Sequence, residues 1–140
     1  MTVLKLGSLF DGIGVFPLAA MHCGMEPVWA SEIEARPISI TRRHFPDMLH
    51  LGDITKISGA EIPPVDVITF GSPCQDLSQI GTRNGFAGKK SSLFYQAMRI
   101  IEEMRYATNG RYPAFCIWEN VAGAFTSGNG MDFRAVLEAF

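Results

Sequence analysis

The sequence predicts an α/β fold built on a doubly wound, mostly parallel sheet. One observation is alternation: short apolar runs are followed in turn by segments of helical periodicity, with Gly, Pro and Asp at the junctions. The other is where the runs stop, at Asp11-Gly12, Glu32, Asp53, Pro73-Cys74 and Glu119-Asn120. In an open parallel sheet ligands bind beyond the carboxyl ends of the strands, so these five places are expected along one edge. With 140 residues, 47% of them hydrophobic, the chain forms one domain with a real core, its sheet covered on both faces.

Val3 to Phe10 reads as the first strand and Ile13 to about Cys23 as the first helix, with Pro17 in the first turn and Gly24 as C-terminal cap. Pro27 to Ala30 is the second strand, and Arg36 to Phe45 is a helix closed by Pro46. Leu49 to Leu51 is a weak third strand and Val65 to Phe70 a strong fourth. From Ser72 to Ser91 apolar periodicity is lost, as in a functional loop. Ser91 or Ser92 then caps a helix whose Phe94, Ala97, Met98, Ile101 and Met104 share one face, and Ala114 to Trp118 is the fifth strand. Phe133, Val136, Leu137 and Phe140 form a last helical stripe without cap or stop, which predicts that later strands of the sheet lie beyond it.

Twelve Lys and Arg against fourteen Asp and Glu give a formal charge of −2, so no global positive field gathers phosphates. No apolar stretch approaches the ~18 residues of a membrane span, and Met1-Thr2-Val3-Leu4-Lys5 lacks the form of a signal peptide. A soluble, cytoplasmic chain with no membrane partner is expected. Cys23, Cys74 and Cys116 lack disulfide or zinc-site spacing, and His22, His44 and His50 lack ligand spacing, so no metal is expected. Cys23 and Cys116 read as packing residues.

Gly12 and Gly14 permit close backbone approach at the start of a helix, although a turn needed only for chain reversal has the same residues. Glu32 follows Gly12 by 20 residues, at a strand end where a carboxylate can accept from ribose hydroxyls. Pro17 stands where a dinucleotide fingerprint wants its third glycine, which disfavours pyrophosphate. Asp53 can accept from an adenine amino group or cap a solvated turn, and Phe10 can face a base or pack in the core. Cys74, on a turn after a buried strand, is the best nucleophile candidate, but no neighbouring histidine in sequence would activate it. Glu119, buried at the end of an apolar strand, would need either a counter-ion or a raised pKa suited to a general acid.

Together, Phe10-Asp11-Gly12-Ile13-Gly14, Gly71-Ser72-Pro73-Cys74-Gln75-Asp76-Leu77-Ser78 and Glu119-Asn120-Val121 resemble, in order, motifs of the cytosine-C5 DNA methyltransferases. The resemblance runs from Leu6 to Val121 and implies the Rossmann-like sheet of S-adenosylmethionine-dependent methyltransferases. It implies S-adenosylmethionine as donor and S-adenosylhomocysteine as product. Phe10 would lie against the adenine, Asp11, Gly12, Ile13 and Gly14 near the methionine part, Glu32 on the ribose and Asp53 near the adenine amine. Ile33, Ile54, Pro73 and Leu93 would complete the pocket.

By the same resemblance Cys74 adds to C6 of a cytosine flipped out of double-stranded DNA, and Glu119 hydrogen-bonds that base. Gln75, Ser78, Arg83, Asn120 and Val121 would contact the substrate, with Gln79 and Asn84 near the DNA. Arg83, Lys89 and Lys90 against Asp76 give the loop a local charge of +2, as a phosphate-facing cover or an ordinary solvated loop would have.

Two departures stand out. Val15 occupies a position where the family usually has glycine, and neither the later Gln-x-Arg motif nor a target-recognition region is found. Residues 1–140 are therefore expected to be the N-terminal cofactor and catalytic part of a microbial enzyme of the restriction-modification kind, incompetent for turnover alone. The competing readings are a catalytically silent, cofactor-binding or self-associating module, and a tRNA cytosine-C5 methyltransferase.

Overall fold

The structure is a computed structural model that describes residues 2–72 and 93–140. The site expectations on Pro73, Cys74, Gln75, Ser78 and Arg83, and the capping serines Ser91 and Ser92, lie outside the described residues. In chain order the main elements are β1 (Lys5–Leu9), α1 (Val15–His22), β2 (Glu26–Ser31), α2 (Ala35–His44) and β3 (Leu49–His50). They continue with β4 (Val67–Phe70), α3 (Leu93–Ala107), β5 (Phe115–Trp118) and α4 (Met131–Ala139). A 3-10 turn at Ile54–Lys56 and two more between residues 122 and 130 complete the described part.

Every described strand pair is parallel, and the sheet order is β3-β2-β1-β4-β5. The chain winds outward from β1 through β2 to β3, then returns to the other side of β1 for β4. This is the Rossmann-like, doubly wound arrangement, and its winding reverses at β1, where a crevice opens at the carboxyl edge.

The larger core lies between the sheet and α3, where Leu9, Trp29, Ile68 and Phe70 meet Phe94, Ala97, Ile101 and Met104. Burying each large side chain contributes about 1.5–3 kcal/mol. Phe94 links the layers by an edge contact with Trp118, centroids 5.8 Å apart, and meets Tyr95 of its own helix edge-on at 5.3 Å. On the opposite face, Leu6 and Val67 pack with Ala20 of α1. Gly7 is required at the centre because the Trp29 ring lies where its side chain would project, beside a register shift between Leu6 and Gly7.

Three expectations need correction. The first helix starts at Val15, not Ile13, because Gly12 and Gly14 take left-handed conformations (φ 59° and 86°) that hold the chain in a turn. The sheet is not covered on both faces throughout: Phe115 and Ile117 of the edge strand β5 are 66% and 50% exposed. Cys23 is exposed, at the cap that ends α1, and so does not pack in the core, whereas Cys116 is half-buried.

Candidate functional site

The crevice at the end of β1 is a cleft of about 360 Å³, within the range of ~300–1,000 Å³ common for small-molecule sites. One wall is the exit of β2, with Ser31, Glu32, Ile33 and Glu34; the other is Asp53 and Ile54 after β3. Phe10 and Gly71, at the exits of β1 and β4, and Leu93, at the start of α3, complete it. Among the described residues, three carboxylates and no Lys or Arg line this space.

Glu32 organises the first wall. Its Oε2 accepts from the Gly12 N–H at 2.8 Å, and Oε1 accepts from the N–H groups of Ile33 at 2.7 Å and Glu34 at 2.9 Å. A carboxylate offers about four lone-pair sites, so one remains after these bonds. The grip ties the turn after β1 to the exit of β2, and the Asp11 N–H donates to the Ser31 carbonyl at 3.0 Å beside it. Between the two, Phe10 is held at φ 54°, a left-handed conformation that costs a residue other than glycine of order 1–3 kcal/mol. The turn's hydrogen bonds retain that geometry and set Phe10 at the cleft.

Asp11 is buried beneath the same turn. Its Oδ1 accepts from the Ser8 hydroxyl at 2.7 Å, while Oδ2 is buried without a hydrogen-bond partner. Burial pushes its pKa up to about 6; the Ser8 bond opposes this and the charge of Glu32 reinforces it. The folded state therefore binds more protons than the unfolded chain between about pH 4 and 6, and the stability from Asp11, complete below pH 4, is lost as pH rises through 6. The change is of order 2–3 kcal/mol. Asp11→Asn is expected to flatten this dependence and to raise stability at pH 8 by about 1–2 kcal/mol, read by urea unfolding at both pH values. An unchanged pH profile would contradict the assignment.

The second wall is fixed by short-range bonds. Asp53 Oδ1 accepts from the Thr55 N–H at 2.9 Å and its hydroxyl at 2.8 Å, and these bonds hold the Asp53 carboxyl below its usual pKa. The Ser31 hydroxyl donates to the Gly52 carbonyl at 2.7 Å and joins the two walls. At the exits of β4 and β5, Glu119 is exposed, so the expectation of a buried carboxylate is not met. The reason is that β5 is an edge strand. The Glu119 carboxylate instead lies over Gly71, where a Cβ would stand 2.6 Å from Oε2. The Trp118 indole N–H donates to Ser72 Oγ at 3.4 Å, adding a tie between the two strand ends.

The structure thus brings Phe10, Glu32, Ile33, Asp53, Ile54 and Leu93 together in one cleft, with Glu119 at its Gly71 border. Gly12 supports the site through Glu32, and Asp11 lies beneath it. Ile13 and Gly14 point away, into an apolar depression with Val15, Leu18 and Ile40. Asn120 is half-buried, its Oδ1 accepting from the Val121 N–H at 2.7 Å, and Val121 is exposed beside it. Ser31, Glu34 and Gly71 were not foreseen, although Ser31 and Glu34 flank Glu32 and Gly71 ends an apolar run. Among the described residues no cluster of three metal-binding side chains occurs, and no helix is long and apolar enough to cross a membrane.

An open parallel sheet with a cleft at its switch point defines a Rossmann-like class of α/β protein. The family model for C-5 cytosine-specific DNA methylases matches residues 4–140, and the chain belongs to that family. It is 35% identical to the orphan methyltransferase M.SPRI of Bacillus phage SPR, over 100% of this chain and 31% of the phage protein. It is 31% identical to the type II methyltransferase M.HhaI of Haemophilus parahaemolyticus, over 97% of this chain and 39% of that protein. The chain therefore spans about a third of the length of these relatives. Its fold is similar to that of a Dnmt2 methyltransferase from S. pombe, with a TM-score of 0.69 at 19% identity, over 98% of this chain and 40% of that one.

Proposed function

We propose that this chain carries the cofactor cleft and the nucleophile of a DNA cytosine-C5 methyltransferase that uses S-adenosylmethionine. The observation that carries the reading is the charge of the cleft. Among the described residues Glu32, Glu34 and Asp53 line it with no basic residue, which opposes a dinucleotide's phosphates and favours a nucleoside bearing cationic sulfonium and ammonium groups. The residues fit that group. The free lone pair of Glu32 can accept a ribose hydroxyl, Asp53 an adenine amino group, and Phe10 offers its ring to the base. Bound there, S-adenosylmethionine supplies a methyl group on positively charged sulfur, which C5 of an activated cytosine takes.

The chain's own residues account for the activation. The Cys74 thiolate adds to C6, forming an S–C bond and shifting electron density to C5. Glu119 holds the base edge and offsets the charge that develops on the ring. When the C5 proton leaves to a base, the electron pair re-forms the C5–C6 double bond and the Cys74–C6 bond breaks. A cytosine within a duplex cannot reach these groups, so the nucleotide must be flipped out at an unstacking cost of a few kcal/mol. Gln75, Ser78, Arg83, Asn120 and Val121 follow or flank the two catalytic residues and are assigned to the DNA.

The test is transfer of labelled methyl groups by a chain completed with the C-terminal segment of a relative. Duplex DNA is expected to acquire 5-methylcytosine, detected by mass spectrometry of the digested nucleosides. Methylation confined to tRNA would replace the DNA reading by the RNA one, and methylation of adenine alone would contradict both.

A further inference from the structure

α3 contributes more to the cleft than the covering side chain of Leu93. From the same helix Arg99 reaches the segment that follows Asp53: Nη1 donates to the Ile57 carbonyl at 2.8 Å, and Nη2 to the Ile54 carbonyl at 3.0 Å. The guanidinium is held in turn by an ion pair with Glu103 at 2.9 Å and by the Gln96 side chain at 2.9 Å. Glu103 Oε2 completes the grip by accepting from the Gly59 N–H at 2.7 Å. Gly59 is required there because a side chain would collide with the Ile100 carbonyl, so the segment lies directly on the α3 backbone.

Three backbone groups just beyond Asp53 are thus tied to a single ion pair. The side-chain bonds of Asp53 to Thr55 are local and do not fix where the whole turn sits relative to Phe10 and Leu93. Arg99 and Glu103 themselves are outside the cleft lining. We propose that the Arg99–Glu103 pair is a positioning device for ligand selectivity, holding the Asp53 wall at the distance from α3 that lets its carboxylate read the amino edge of the purine. The inference rests on the reading that the cleft holds the adenosine part of the cofactor. A planar guanidinium with five donors can serve two carbonyls, a carboxylate and an amide together, whereas a lysine ammonium cannot.

The experiment compares the affinity of the chain for S-adenosylhomocysteine and for S-inosylhomocysteine, which replaces the 6-amino group by a carbonyl. The wild-type chain is expected to prefer the adenosyl ligand by about tenfold or more, the equivalent of one hydrogen bond to a charged group. Arg99→Lys and Glu103→Gln are each expected to bring the preference within about threefold, while Asp53→Asn reduces it directly. Equal weakening of both ligands, with the preference intact, would mean that the pair only stabilises the fold and would overturn the proposal. Should Arg99→Lys fail to fold, Glu103→Gln, nearly the same shape, decides alone. Failure of the folded wild-type chain to bind either ligand would overturn the cofactor reading, and this inference with it. Binding without preference would remove Asp53 from purine recognition and overturn the inference alone.

Discussion

Cys74→Ser is expected to abolish covalent capture of duplex DNA containing 5-fluorocytosine in the completed enzyme. Fluorine at C5 leaves no proton to remove after methyl transfer, so the Cys74–C6 bond cannot be expelled and the wild-type protein accumulates as a denaturant-resistant adduct. Serine preserves the side chain's size, but its hydroxyl is scarcely ionised near neutral pH, whereas a thiol supplies an appreciable fraction of a better nucleophile. Methylation of normal DNA should fall by at least about a thousandfold, the scale on which catalytic nucleophiles are lost. Gel shift under denaturing conditions, with intact-protein mass spectrometry, checks the adduct. Adduct formation by Cys74→Ser at the wild-type rate would identify another nucleophile. Cys23 and Cys116 are within the described fold and provide internal controls, one exposed and the other half-buried at the edge strand.

The second large effect belongs to Glu32→Ala. The substitution removes the acceptor of three backbone N–H groups, on Gly12, Ile33 and Glu34, as well as the proposed ribose contact. Loss of a hydrogen bond to a charged group costs ~1.5–3 kcal/mol when the partner remains buried, and less here because the wall is partly open to water. S-adenosylhomocysteine affinity is expected to fall by about a hundredfold, with stability lowered by about 1–2 kcal/mol. Glu32→Gln should lie between, since its one carbonyl oxygen can serve Ile33 and Glu34 but its amide cannot accept from Gly12. Equilibrium binding and urea unfolding on the same samples separate the effects. Full affinity in a destabilised Glu32→Ala variant would restrict Glu32 to a structural role.

The alternation of strands and helices is legible in the chain because apolar runs such as Val65 to Phe70 are buried by packing a sheet against helices, whereas the strand order emerges only in the fold. The same logic placed Glu32 and Asp53 at strand ends that come together as opposite walls. What was not legible depends on contacts distant in sequence or on local strain. Nothing in the alternation of residues signals that Phe10 adopts φ 54°, because the conformation is imposed by bonds from the next strand. Arg99 reads as one more polar position on an amphipathic helix, yet its main partners are carbonyls 42 and 45 residues earlier. The exposure of Glu119 likewise depends on β5 being an edge of the described sheet, which an apolar run from Phe115 to Trp118 does not disclose.

Asp11 illustrates how the fold and the proposed function pull in different directions. A carboxylate with one oxygen buried and unpartnered destabilises the charged form, and Glu32 nearby adds to the penalty. Its Ser8 bond and the Gly12–Glu32 bond nevertheless hold both carboxylates at one turn. A cationic ligand in the cleft would offset part of that repulsion, so occupancy and the rigidity of the turn should rise together.

Calorimetric titration of the 140-residue chain with S-adenosylhomocysteine, with cooperative unfolding verified on the same preparation, decides whether the acidic cleft holds the cofactor. Saturable binding at one site per chain, strengthened thermal stability in the complex and competition by S-adenosylmethionine are expected. A folded chain that takes up neither ligand would contradict the assignment of the acidic cleft at the end of β1 as the cofactor site.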